Sequence, residues 1–183
     1  MGSSIKGKII RETFPSEIIS IIGDILAGIV LLLLVLPFRS FIVLILIIPA
    51  LLSLRGNLSG PYIARTSRDL IVGQFNKRSW VENSLATFSL SIITSFLIGL
   101  FSFMMDFFLI RSYILPIEIL ILIPLITILM TLMISLPCST LLNHFAFKYG
   151  FDPNNVVNPI MTAIDDFFTV MCFYFTLIIL GVP

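Results

Sequence analysis

Apolar residues run along this chain in long continuous stretches rather than in alternation with polar ones. That pattern predicts membrane-crossing helices and argues against a β-barrel, whose strands alternate with a period of two. Five stretches are read: residues 17–37, 41–54, 81–105, 115–142 and 157–180. The first follows Pro15-Ser16, which places Ser16 to cap the helix. Phe38-Arg39-Ser40 predicts a short turn into the second stretch. That second stretch is shorter than the about 20 residues a span needs. Its helix is therefore expected to continue through Gly56-Asn57 towards Gly73. Three basic residues precede the first stretch, as in a cleaved signal peptide, but the apolar run is longer than a signal core. It also contains Asp24 and lacks an A-x-A-like cleavage site, so it is read as a span.

Composition sharpens the picture. The chain of 183 residues is 58% hydrophobic and only 11% charged, with a mean hydropathy of +1.12. Soluble domains carry about 25% charged residues, and this chain has too little polar surface to cover a water-soluble fold. The expected class is all-α and integral to a membrane, with five transmembrane helices and the lipid bilayer as its immediate partner; the cell membrane is the default location. A formal net charge of +1 offers nothing to a polyanion, so no nucleic-acid partner is expected. Lys/Arg bias sets orientation. Nine basic residues fall in the N-terminal segment, in the stretch from Arg55 to Arg78 and at Lys148; only Arg39 and Arg111 fall in the alternate loops. The N-terminus is thus expected in the cytoplasm and the C-terminus outside. Residues 1–15 are read as a cytoplasmic N-terminal segment and residues 16–183 as one five-helix membrane domain. Cys138 and Cys172 lie inside apolar runs and read as small core residues, with no disulfide framework around them. His144 has no second histidine or cysteine nearby; with Asn143 and Asp152 it reads as part of a solvated loop, the alternative being a weak site at the cytoplasmic mouth.

Charged residues at bilayer depth are the informative exceptions, since each costs at least about 2.5 kcal/mol to insert. Asp24 and Glu118 lie near the ends of their stretches and are expected to reach the interface. Asp166 lies about 14 Å into the fifth span at 1.5 Å per residue, close to the midplane. Thr162 at i−4 and Thr169 at i+3 share its face, and Asn158 with Pro159 extends the polar stripe. The opposite face carries Phe167, Met171 and Tyr174. Uncharged hydroxyls suffice to hold helices together, so Asp165 and Asp166 point to function. Their oxygen donors suit a hard cation such as Mg²⁺ or Ca²⁺. A second irregular element lies around Pro49, Gly56-Asn57, Ser59, Gly60 and Pro61, where backbone at membrane depth is tolerated if it is buried or lines a water-filled cavity.

Two segments carry a resemblance. PALLSLRGNLSGPYIARTSRDLIVG, residues 49–73, is similar to the second-helix motif of MgtE-type magnesium transporters, in the branch resembling the eukaryotic magnesium solute carriers. GFDPNNVVNPIMTAIDDFFT, residues 150–169, is similar to the family's fifth-helix motif, with Asp152-Pro153, Asn155, Pro159, Asp166 and Thr169 at its fixed positions. The resemblance implies a five-helix protomer that dimerises, with the second and fifth helices lining a pathway for Mg²⁺ on the two-fold axis. It makes Asp166 the pore aspartate and Asn57 the Gly-Asn step. The metal-facing residues expected are Asp166, Asp165, Thr162, Thr169, Asn57 and Asn158. Asp165 departs from the pattern, standing where glycine is usual. With about 15 residues ahead of the first span, the cytoplasmic gating domains of bacterial members are not expected. The solute carriers hold two such domains in one chain, so a single domain implies a homodimer or a heterodimer with a related chain.

Three function classes compete. A divalent cation channel or transporter accounts for the Asp166 column and both motifs. A non-conducting or heteromeric accessory subunit accounts for the single domain and the Asp165 departure. An intramembrane aspartyl enzyme needs facing carboxylates on separate helices, whereas sequential Asp165 and Asp166 diverge by about 100°; no enzyme is expected. Asp165 itself has two readings. Facing the pore, it adds carboxylates on the axis and broadens selectivity towards Ca²⁺ or Mn²⁺; turned to a neighbouring helix, it packs, and Asp165→Gly leaves selectivity unchanged.

Overall fold

A computed structural model describes residues 5–182. Helix α1 spans Ile5–Leu31, and a 3₁₀ turn at Leu32–Leu34 leads into α2, Val35–Ser40. Then come α3 (Leu44–Ile71), α4 (Lys77–Met105, prolonged by a π-helical turn at Asp106–Ile110), α5 (Ile117–Lys148) and α6 (Pro153–Ile179). With α1 and α2 forming one segment, five segments are long and apolar enough to cross a membrane.

The first span departs from its predicted start. Residues 5–15 are helical and continuous with the apolar stretch, and the helix runs through Pro15. Ser16 is therefore not a cap: it is buried, and its hydroxyl donates to the Glu12 carbonyl at 2.9 Å within the helix. Proline has no amide to give but fits the helical φ, so the rest of the helix carries on past it. The turn into the second span falls at residues 41–43 rather than 38–40. Helix α3, as expected, continues without a break through Gly56-Asn57 and past Pro61 to Ile71.

Helices α3, α5 and α6 pack on one another; α1 lies along α6, and α4 covers α3 and α5. The contacts are made by small polar residues as much as by apolar ones. On α5, Thr127, Thr131, Ser135, Ser139 and Asn143 recur every fourth residue, and all are fully buried. On α4, Ser84, Thr87, Ser91, Ser95 and Ser102 form a similar buried row. Lipid tails are as apolar as leucine, so membrane helices gain from close approach more than from hydrophobic burial. Several of these hydroxyls are satisfied by their own helix, as Thr127 donates to the Ile123 carbonyl and Ser91 to that of Thr87, both at 2.7 Å. Between the rows sit fully buried Leu44, Ile47, Leu51, Ile123, Ile128 and Phe173.

The loops are tied by side chains. Asp106 accepts from the Ser112 and Tyr113 amides, each at 3.2 Å, and so holds a connection in which Arg111 and Tyr113 take positive φ values of 58° and 51°. Asp152 caps α6 by accepting from the Asn154 amide, with Pro153 at the first helical position. Glu12 of α1 accepts from the Asp152 amide at 3.3 Å and from Asn155 Nδ2 at 3.0 Å. The start of α1, the α3–α4 loop and the α5–α6 loop thus share one end of the bundle. Of the nine basic residues counted towards that end, Arg55 is not a loop charge: it is buried in the bundle at 1% exposure.

Gly99 marks the tightest α4–α5 approach, since a Cβ there would stand 2.6 Å from the Ile121 Cα and 2.7 Å from the Leu120 carbonyl oxygen. Backbone cannot yield as a side-chain tip does, so Gly99→Val must separate the helices. The expected cost is about 1–3 kcal/mol, read as a lower unfolding midpoint in detergent. Gly28→Ala, where a Cβ would meet nothing within 4 Å, is the control and leaves the midpoint unchanged.

Candidate cation site

The two adjacent aspartates of α6 have opposite environments. Asp165 is 1% exposed and accepts from Arg55 Nη2 of α3 at 2.7 Å. Ser135 of α5 joins them: it accepts a hydrogen bond from Arg55 and donates one to Asp165. One ion pair and one hydroxyl therefore bind the three central helices at a single point. Of the two orientations open to Asp165, it takes the inward one, turned to a neighbouring helix.

Asp166, one residue on and about 100° round the helix, is half-buried. It has no hydrogen-bond or ion-pair partner among the described residues. Asp24 of α1 lies on the same flank, exposed and near enough to interact with it electrostatically. The reason is local: Gly23 presses so closely on α6 that a Cβ there would come within 2.5 Å of the Ala163 Cβ. Asp24 is thus level with the middle of α6 rather than at a span end, because the helix begins at Ile5. That corrects its expected place at the interface. Glu118, in contrast, sits exposed in the first turn of α5 as expected, where its charge complements the helix dipole.

The remaining predicted residues divide into groups. Thr162 is exposed on the Asp166 flank, with its hydroxyl bonded to the Asn158 carbonyl at 3.0 Å. Asn158 is half-buried, and its amide donates at 3.5 Å to the Asn154 carbonyl. Thr169 is buried, with no hydrogen-bond partner for its hydroxyl among the described residues. Asn57 does not join this group within the protomer. Two residues from Arg55, it points to the other side of α3 and lines a pocket of about 130 Å³ with Pro61, Arg65 and Thr87. Pro61 also withholds the amide that would otherwise close on the Asn57 carbonyl.

Asn143, His144 and Asp152 do not form a common site: Asn143 is buried in α5, where its amide donates to the Ser139 carbonyl at 3.0 Å, His144 is exposed, and Asp152 is a helix cap. No cluster of three or more His, Cys, Asp or Glu residues arranged to hold a metal occurs among the described residues. Cys138 and Cys172 are free thiols.

Sequence reasoning passed over Arg55, which it counted as a loop charge, and Asp106, which it did not consider. The signal for Arg55 was present: a guanidinium inside a helix that continues to Gly73 lies at bilayer depth and demands a carboxylate there.

Five apolar helices long enough to cross a membrane, one of them carrying half-buried Asp166 near its middle, define a multi-pass membrane protein. Residues 48–176, most of the chain, match the MgtE divalent cation transporter family, and the chain belongs to it. No curated protein and no solved structure matches the chain.

The geometry predicts which positions meet water. In a variant with Cys138 and Cys172 replaced by serine, Thr162→Cys reacts with a charged thiol reagent, and Asp165→Cys does not. Equal labelling at both positions would show that the inward and outward faces of α6 are wrongly assigned.

Proposed function

We propose that the chain passes a hydrated divalent cation, Mg²⁺ above all, along the Asp166 flank of α6 in a two-chain assembly. The observation that carries this reading is the contrast between the two aspartates. Asp165 is neutralised, whereas Asp166 keeps a carboxylate unpartnered at mid-span beside a second one, Asp24. A bare carboxylate facing lipid is costly, and two close together repel. A divalent cation between them removes both penalties. Family membership supplies the cation class.

A symmetric pair of chains would bring two copies of this flank together, doubling the carboxylates around one axis. Thr162 and Asn158 add neutral oxygens along the path, and Thr169 stands behind Asp166 with a free hydroxyl. Mg²⁺ sheds its water reluctantly, so these groups act on the hydration shell more than on the bare ion. Asn57 enters the pathway through the family resemblance, from the α3 face turned towards α4. With the basic end of the bundle towards the cytoplasm, α1 starts inside and α6 ends outside. Discounting Arg55 leaves eight basic residues against two, so the bias that sets this orientation persists. The cell membrane is the proposed location.

Purified chain in proteoliposomes is expected to take up Mg²⁺, and Asp166→Ala to reduce that uptake to background while the protein stays folded. Normal uptake in Asp166→Ala would overturn the pathway. A silent parent chain that conducts only when a related chain is co-expressed would instead make this protein one half of a heteromer.

A further inference from the structure

We propose that Asp165 is the counter-ion that keeps the buried charge of Arg55 off the cation path, so that the Arg55–Asp165 pair sets how strongly Asp166 attracts a divalent cation. The inference rests on the transport reading above and assigns to this pair a positioning and specificity role within it.

Arg55 brings a guanidinium cation into the bundle, and it is 1% exposed, beyond the reach of solvent screening. Asp165 is the only carboxylate in ion-pair contact with it among the described residues. The contact is made through one nitrogen; Nε and Nη1 of Arg55 and Oδ2 of Asp165 have no hydrogen-bond partners there. Because Asp165 and Asp166 are consecutive, the guanidinium held by Asp165 lies near enough to the pathway carboxylate for its field to reach Asp166. Inside the bundle a unit charge is attenuated less than in water.

The local charge decides the consequence. Arg55, Asp165 and Asp166 together carry −1 in the native chain. Asp165→Asn leaves 0, with the half-buried Asp166 carboxylate offset by an unpaired guanidinium. Arg55→Gln removes the one positive charge of the three, and the double variant keeps −1. A divalent cation should therefore bind Arg55→Gln at least as tightly as the native chain and the double variant, and Asp165→Asn least tightly. A pair that only held helices together would give another pattern, with both single variants impaired.

The test measures Mg²⁺ affinity of the full chain from its protection against thermal unfolding in detergent, beside Mg²⁺ uptake in proteoliposomes. For Asp165→Asn we expect affinity weakened by roughly tenfold or more, with Arg55→Gln at or above the parental value. The double variant should lie within about threefold of the parent. Parental affinity in Asp165→Asn overturns the inference, as does a folded double variant as weak as Asp165→Asn. Should Asp165→Asn fail to fold, a loss of affinity in Arg55→Gln overturns it. Should both single variants fail, a folded double variant far weaker than the parent does so. A parent chain with neither Mg²⁺ protection nor uptake removes the transport reading, and this inference with it. A transporting parent whose variants break the ranking removes the inference alone.

Discussion

The bundle is organised around one buried ion pair. Arg55 and Asp165 meet at 2.7 Å where α3, α5 and α6 converge, with Ser135 bonded to both. Neither charge could stay alone in an apolar interior, because the cost of taking an ion from water is recovered only from a well-placed partner. The pair therefore fixes the relative depth of α3 and α6 and the rotation of each. Once α6 is locked with Asp165 inward, Asp166 has no choice but to face the flank where α1 brings Asp24. The position of the polar strip follows from the position of the ion pair.

The small-residue rows serve the same geometry. Serines and threonines at four-residue spacing on α5 let α3 and α6 approach closely enough for the guanidinium, hydroxyl and carboxylate to touch. Gly23 does the equivalent on α1, pressing against Ala163 next to the two aspartates. Loop ties such as Glu12 to the start of α6 and Asp106 to its following turn hold the helix ends. Structure and proposed chemistry therefore share residues: the contacts that seat α6 also decide which of its carboxylates is free.

Membership of the divalent cation transporter family gives the proposed path its cation class. A glycine at position 165 would bring no charge to the α3–α6 contact. An aspartate there brings a counter-ion, and the local charge next to the proposed pathway becomes a balance among three side chains. On the proposed reading, such a balance sets the attraction for a hydrated ion without a dedicated ligand cage, which suits a cation that keeps its water.

Much was legible in the residues alone. Continuous apolar stretches, four of them long enough for the bilayer and the second extended through Gly56-Asn57, specified five helices, since within lipid the backbone must satisfy itself. Asp166 stood out because a carboxylate at mid-span requires a reason, and its neighbours Thr162 and Thr169 followed from helical spacing. Pairing across helices was not legible, because no local pattern states which face of α3 meets which face of α6. Arg55 was therefore read as a loop charge and Asp24 as a boundary residue, although the fold buries one and carries the other to mid-span. Asn57 was grouped with Asp166 by motif, yet the rotation that points Arg55 inward turns Asn57 the other way. Helix formation and depth depend on local periodicity and hydrophobicity, which a sequence displays; the choice between two adjacent aspartates depends on helix rotation, which only packing in three dimensions decides.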